Sequence, residues 1–81
     1  MKNIVRHTDR KNNVVTYKLD GNGREVARIE KRDFGYEYLC IFYWLNNPNE
    51  QTFAEGCDTL DEAIDYVDEC LASSNCKVYW N

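Results

Sequence analysis

The stretch YEYLCIFYWL, Tyr36 to Leu45, is the densest apolar run in the chain, and its reading decides the fold. Side chains of a β-strand alternate between two faces. Here both alternating sets are apolar: Leu39, Ile41, Tyr43 and Leu45 on one side, Tyr36, Tyr38, Cys40, Phe42 and Trp44 on the other. A strand of this kind needs cover on both faces, so the rest of the chain has to be read for what can supply it.

C-terminal to the run, Pro48 in NNPNE forbids a continuing central strand, and QTFAEG reads as a short strand able to pair with the run. The period then changes. In TLDEAIDYVDECLASS, Leu60, Ala63, Ile64, Val67, Cys70 and Leu71 recur at i, i+3, i+4 and i+7, the single apolar stripe of an amphipathic helix. Thr59 and Glu62 have the spacing of a capping box, each side chain satisfying a backbone N–H at the helix start. SSN ends the helix, and CKVYW is able to add a terminal strand.

N-terminal to the run, NIVRH is short and β-prone, and TDRKNN is a polar turn. VVTYKL alternates Val15, Tyr17 and Leu19 against Val14, Thr16 and Lys18. The glycines of DGNG tolerate positive φ and mark a hairpin. REVARIEKR returns with Ala27 and Ile29 on one face and Val26, Arg28 and Glu30 on the other. The expected fold is α+β: one domain spanning residues 1–81, with an antiparallel sheet of four to six strands packed on one amphipathic helix at about residues 60–73.

One helix covers one face of such a sheet. The aliphatic set, Leu39, Ile41, Tyr43 and Leu45, is assigned to the helix side, which leaves Tyr36, Tyr38, Cys40, Phe42 and Trp44 facing away. Four aromatics hold ~600–1,000 Å² of side-chain surface. With half of it open, the patch is about as large as a monomer usually shows. Partner binding, self-association included, is therefore expected at Tyr36, Tyr38, Phe42 and Trp44. The competing reading is cover by the N-terminal strand, by CKVYW or by long Lys and Arg stems.

Charge adds a second feature. The net charge of −4 divides unevenly: residues 1–33 carry nine Lys/Arg against five Asp/Glu, and residues 34–81 carry one Lys against nine acids. Asp58, Asp61, Glu62, Asp65, Asp68 and Glu69 surround the apolar stripe. Asp61, Asp65 and Asp68 form one like-charged row whose neighbours repel. Such a row reads either as a solvated face or as a mimic of phosphates, meeting an Arg/Lys-rich surface that normally holds nucleic acid.

No constellation carries a chemistry. His7 is the only histidine, and Cys40, Cys57, Cys70 and Cys76 contain no CxxC pair, so neither a nucleophilic Cys/His pair nor metal-ligand spacing is present. The expectation is a non-enzymatic chain with no cofactor and no metal. Without a run of eighteen apolar residues or the h-region of a signal peptide, the expected location is the cytosol, with free thiols packed as small hydrophobes.

Two resemblances follow. A three-stranded meander leading into FAEGCDTLDEAIDY, about residues 14–72, resembles AP2 and integrase arm-binding domains, although those are basic and this helix is acidic. That resemblance implies DNA contacts from the sheet, at Arg24, Arg28 and Trp44. The basic residues Lys18, Arg24 and Arg28 would then line a β-ribbon facing phosphates.

The whole chain is similar in style to small phage-encoded anti-CRISPR proteins, which are often acidic and built from a few strands and one or two helices, and which share no motif. That similarity implies a binder in a bacterial host cytosol that blocks a nucleic-acid or partner site on an effector complex. It accommodates the acidic helix and the aromatic face together. A homodimer burying the aromatic face is a further expectation.

Overall fold

The computed structural model describes residues 2–21, 23–32, 37–44 and 47–80, with Trp44 and residues 47–55 described by their backbone alone. Six strands and one helix follow in the order β1 (Lys2–Asp9), β2 (Val14–Leu19), β3 (Glu25–Lys31), β4 (Tyr38–Trp44), β5 (Asn47–Cys57), α1 (Leu60–Ser73) and β6 (Cys76–Trp80). The sheet order is β5-β4-β3-β2-β1-β6. Strands β1 to β5 form the expected antiparallel meander, and β6 joins β1 in parallel, with Lys2↔Cys76 and Arg6↔Trp80 in register. The parallel pair follows from the helix, which carries the chain across one face from the β5 edge to the opposite edge. Such a crossover returns a strand parallel rather than antiparallel.

Local chemistry accounts for the turns. Asp9 accepts from the Asn12 backbone and side chain, at 3.2 and 2.8 Å, and Asn13 takes a φ of 56° to enter β2. Asparagine tolerates that left-handed conformation better than other non-glycine residues. Between β2 and β3, Gly21 and Gly23 have φ of 100° and 70°, and Leu19 N–H closes the hairpin on Arg24 C=O at 2.8 Å. The helix begins with the Thr59 half of the expected capping box: the Thr59 hydroxyl accepts from Glu62 N–H at 3.1 Å.

The core lies between α1 and one sheet face. Leu60, Ala63, Ile64, Val67 and Leu71 of the helix meet Ile4, Val15, Tyr17, Val26, Ala27, Ile29, Cys40 and Cys76. A register shift after Tyr17, which sets Lys18 against Glu25, leaves Val26 as the extra residue of a β-bulge. Val26, expected on the open face beside Arg28, is thereby buried in the core together with Ala27.

The assignment of the two faces of β4 is reversed. Ala27↔Phe42 and Ile29↔Cys40 are in register, so the set that includes Tyr38, Cys40 and Phe42 faces the helix. Tyr38 and Phe42 pack on the core, and Phe42 meets Tyr66 of α1 edge-on, with ring centroids 6.1 Å apart. The physical reason is close approach. Cys40 is small enough to let the helix settle on it, its Sγ reaching Ala63 C=O at 3.8 Å. The larger Tyr38 and Phe42 sit half-buried on either side of it along the strand. A count of aliphatic residues ignored this alternation of small and large. Tyr36 and Leu45 lie outside the described residues, as does the side chain of Trp44.

Leu39, Ile41 and Tyr43 consequently face away from the helix, and polar side chains take part in covering them. Arg28 stands opposite Ile41 in register and reaches Glu25 at 3.1 Å and Glu30 at 3.2 Å, while Arg32 reaches Glu30 at 3.3 Å. Ile41 retains only 6% of its surface. Burial, and next the nearby Glu25 carboxylate, raise the Tyr43 phenol above its ordinary range. An Arg stem opposite Ile41 suits such cover, because its methylenes are apolar while its guanidinium is held by the two glutamates.

Phe42→Ala is accordingly expected to destabilise the fold by about 2–3 kcal/mol, somewhat less than a fully buried phenylalanine would. A urea midpoint unchanged by the substitution would place the ring outside the core.

Candidate functional site

With the described β4 aromatics Tyr38 and Phe42 turned inward, the outer side of the helix and the end of β6 carry the exposed acidic and aromatic side chains. Asp58, Asp61, Glu62, Asp65 and Glu69 are exposed, and α1 has no basic residue in its last turn. Asp68 departs from this row. Arg6 Nη1 donates to its Oδ2, and the Tyr17 hydroxyl donates to its Oδ1 at 2.7 Å. Arg6 is fixed by the pleat: it follows Ile4 by two residues, so it shares the core-facing side of β1, and only 7% of its side chain is exposed. A cation buried this deeply requires a partner, and Asp68 is within reach one turn after Ile64. Burial first, and then the bond to Asp68, push the Tyr17 phenol far above its ordinary value.

Arg6 also lies 4.5 Å from the ring centroid of Trp80, its register partner on β6. Trp80 nevertheless keeps 78% of its surface in solvent, and Tyr79, pointing to the opposite sheet face, keeps 43%. Between the indole, the β1 residues Arg6, Thr8 and Arg10, and the helix residues Asp61, Ile64, Asp65 and Asp68 runs an open cleft of about 490 Å³. Arg10 reaches Asp61 at 3.3 Å across its rim, both side chains being mostly exposed. Among the described residues Asp65 enters no ion pair.

The acidic row Asp58, Asp61, Glu62, Asp65 and Glu69 is thus gathered on one outer surface, with Asp68 beneath it. Tyr38 and Phe42 stand elsewhere, against the core. Of the basic set, Lys18 is exposed, Arg24 sits half-buried at the β2–β3 turn, and Arg28 is held by two glutamates that offset its charge. His7 is exposed. Cys57, Cys70 and Cys76 carry free thiols; Cys40 and Cys57 lie with sulfurs 4.0 Å apart, and burial raises the Cys76 thiol. Among the described residues no three potential metal ligands gather, and no helix is long and apolar enough to cross a membrane.

Sequence reasoning missed Arg6, Arg10, Tyr17 and Trp80 as members of this site. One signal was available: an arginine at i+2 from Ile4, on the face that the strand pattern sends inward, implies a buried acid elsewhere. Comparisons of the chain with protein-family models, with curated proteins and with solved structures each return no significant match.

Asp68→Ala is expected to lower stability by about 3 kcal/mol, the lower end for an orphaned buried charge because Asp68 itself keeps 28% of its side chain exposed. The double variant Arg6→Met/Asp68→Leu should recover most of that loss, since no buried charge is then left alone. Full additivity of the two single losses, read from urea midpoints, would argue against a coupled pair.

Tyr17 gives a pH signature. Its phenol holds its proton more tightly in the folded chain than in the unfolded one. The stability this contributes is therefore intact below about pH 10 and is lost as the pH rises above it. Tyr17→Phe should cost about 1 kcal/mol at neutral pH and lose less than the wild type between pH 9 and 11. Parallel stability curves for the two proteins across that window would contradict the assignment.

Proposed function

We propose that this protein is a non-enzymatic binding module that docks the acidic outer face of α1 onto a basic protein surface which otherwise holds nucleic acid. It acts there as a small inhibitor of a bacterial nucleic-acid machine, of the kind phages and mobile elements encode. The observation that carries this reading is the density of carboxylates. Asp61, Glu62, Asp65 and Glu69 are all exposed along α1. At about 1.5 Å of rise per residue they span roughly 12 Å, or one negative charge per ~3–4 Å, against ~3.4 Å along one strand of DNA.

A row of this density is repulsive within the free chain. Meeting a cationic surface relieves that repulsion and accelerates encounter through long-range attraction. Affinity that survives salt needs apolar contact as well. The aromatic end of β6, with Trp80 beside the acidic row, takes the role first expected of the β4 aromatics. The DNA-binding alternative draws less support, because Arg28 is committed to Glu25 and Glu30 and Arg32 to Glu30.

The test is capture from bacterial lysate with the wild-type chain and with a variant carrying Asp61→Asn, Glu62→Gln, Asp65→Asn and Glu69→Gln. The wild type should retain nucleic-acid-binding proteins that added duplex DNA or RNA releases, and the neutralised variant should lose them. Identical captured sets, or direct salt-sensitive binding of the chain to DNA, would overturn the reading.

A further inference from the structure

The geometry points to the cleft between α1 and the C-terminal ends of β1 and β6 as a binding pocket for an arginine side chain of a peptide segment; this deepens the proposed function and rests on it. Three observations converge. The first is the recognition pattern already present. Arg6 binds a carboxylate, Asp68, while its guanidinium lies against one face of Trp80. With 78% of Trp80 exposed, the other face of the indole is open to solvent. Trp80 itself lines the cleft together with the exposed carboxylates of Asp61 and Asp65. A planar cation stacked on an indole and forked onto a carboxylate is the arrangement that favours arginine over lysine.

The second observation is Arg10. Its pair with Asp61 shows that the rim takes a guanidinium, and because both side chains are largely exposed the pair is weak and displaceable. The third is size, which suits one cationic side chain entering from the rim. The cleft's ~490 Å³ falls within the usual range for small-ligand sites.

The experiment is calorimetric titration of the full chain with nona-arginine and nona-lysine peptides at equal salt, repeated for Trp80→Ala, Asp65→Asn and Arg10→Ser. The wild type should bind nona-arginine at least ~5-fold more tightly than nona-lysine. Trp80→Ala and Asp65→Asn should each erase most of that preference. Arg10→Ser, which removes the competing cation, should tighten nona-arginine binding ~2- to 5-fold. Trp80 and Asp65 are exposed, so the variants should retain the wild-type circular dichroism. If both peptides bind equally and Trp80→Ala changes neither, the pocket is refuted while the acidic-face reading stands. If neither peptide binds, the acidic-face reading falls and the pocket with it.

Discussion

Asp68 adds a directional polar contact to the apolar stripe that holds the helix to the sheet. Its two oxygens are divided between Arg6 on β1 and Tyr17 on β2, so a single carboxylate links α1 to two neighbouring strands. Hydrophobic contact is non-directional and would tolerate the helix at several rotations about its axis. A carboxylate with two fixed donors at partly dry positions does not. The rotation it selects places Ala63 over Cys40, Tyr66 against Phe42, and Asp61 and Asp65 along the rim of the cleft. The same contact keeps Arg6 under Trp80, so the aromatic end of β6 is positioned from below by a residue that also secures the core.

Much of the architecture was legible because its signals were local. The helix, its Thr59 cap, the DGNG hairpin and the alternation of β2 all depend on residues within a few positions of one another. The facing of β4 was not legible, because it depends on register with β3 and on the small side chain at Cys40 rather than on which set is more aliphatic. The parallel β1/β6 pair was invisible for a related reason: CKVYW carries no mark of its partner, and only the path of the helix decides which edge it reaches. Val26 was missed because a bulge breaks the period-two rule on which the reading of β3 relied.

The acidic helix was legible as composition but not as geometry. Six acids around one stripe look equivalent in sequence, yet one is drawn beneath the surface and five remain outside. The distinction matters for electrostatics. Asp68 is largely neutralised by Arg6 and contributes little to the outward field, whereas Asp65, exposed and without an ion-pair partner among the described residues, contributes fully. The open sheet face behaves in the opposite way. Its cations are interleaved with glutamates on the same strand, which shortens the range of their field and leaves the two sides of the molecule electrically distinct.

The pairing of β6 with β1 also sets an order on folding. Lys2 pairs with Cys76 and Arg6 with Trp80, so this edge is assembled from segments about 74 residues apart. The five-strand meander needs only neighbouring segments and can form as the chain leaves the ribosome. The last strand cannot join until nearly everything before it has been made. Closing so long a loop is slow relative to hairpin formation. During that delay the outer edge of β1 stands without its neighbour, and the arrival of β6 moves the exposed edge outward onto a strand of only five residues.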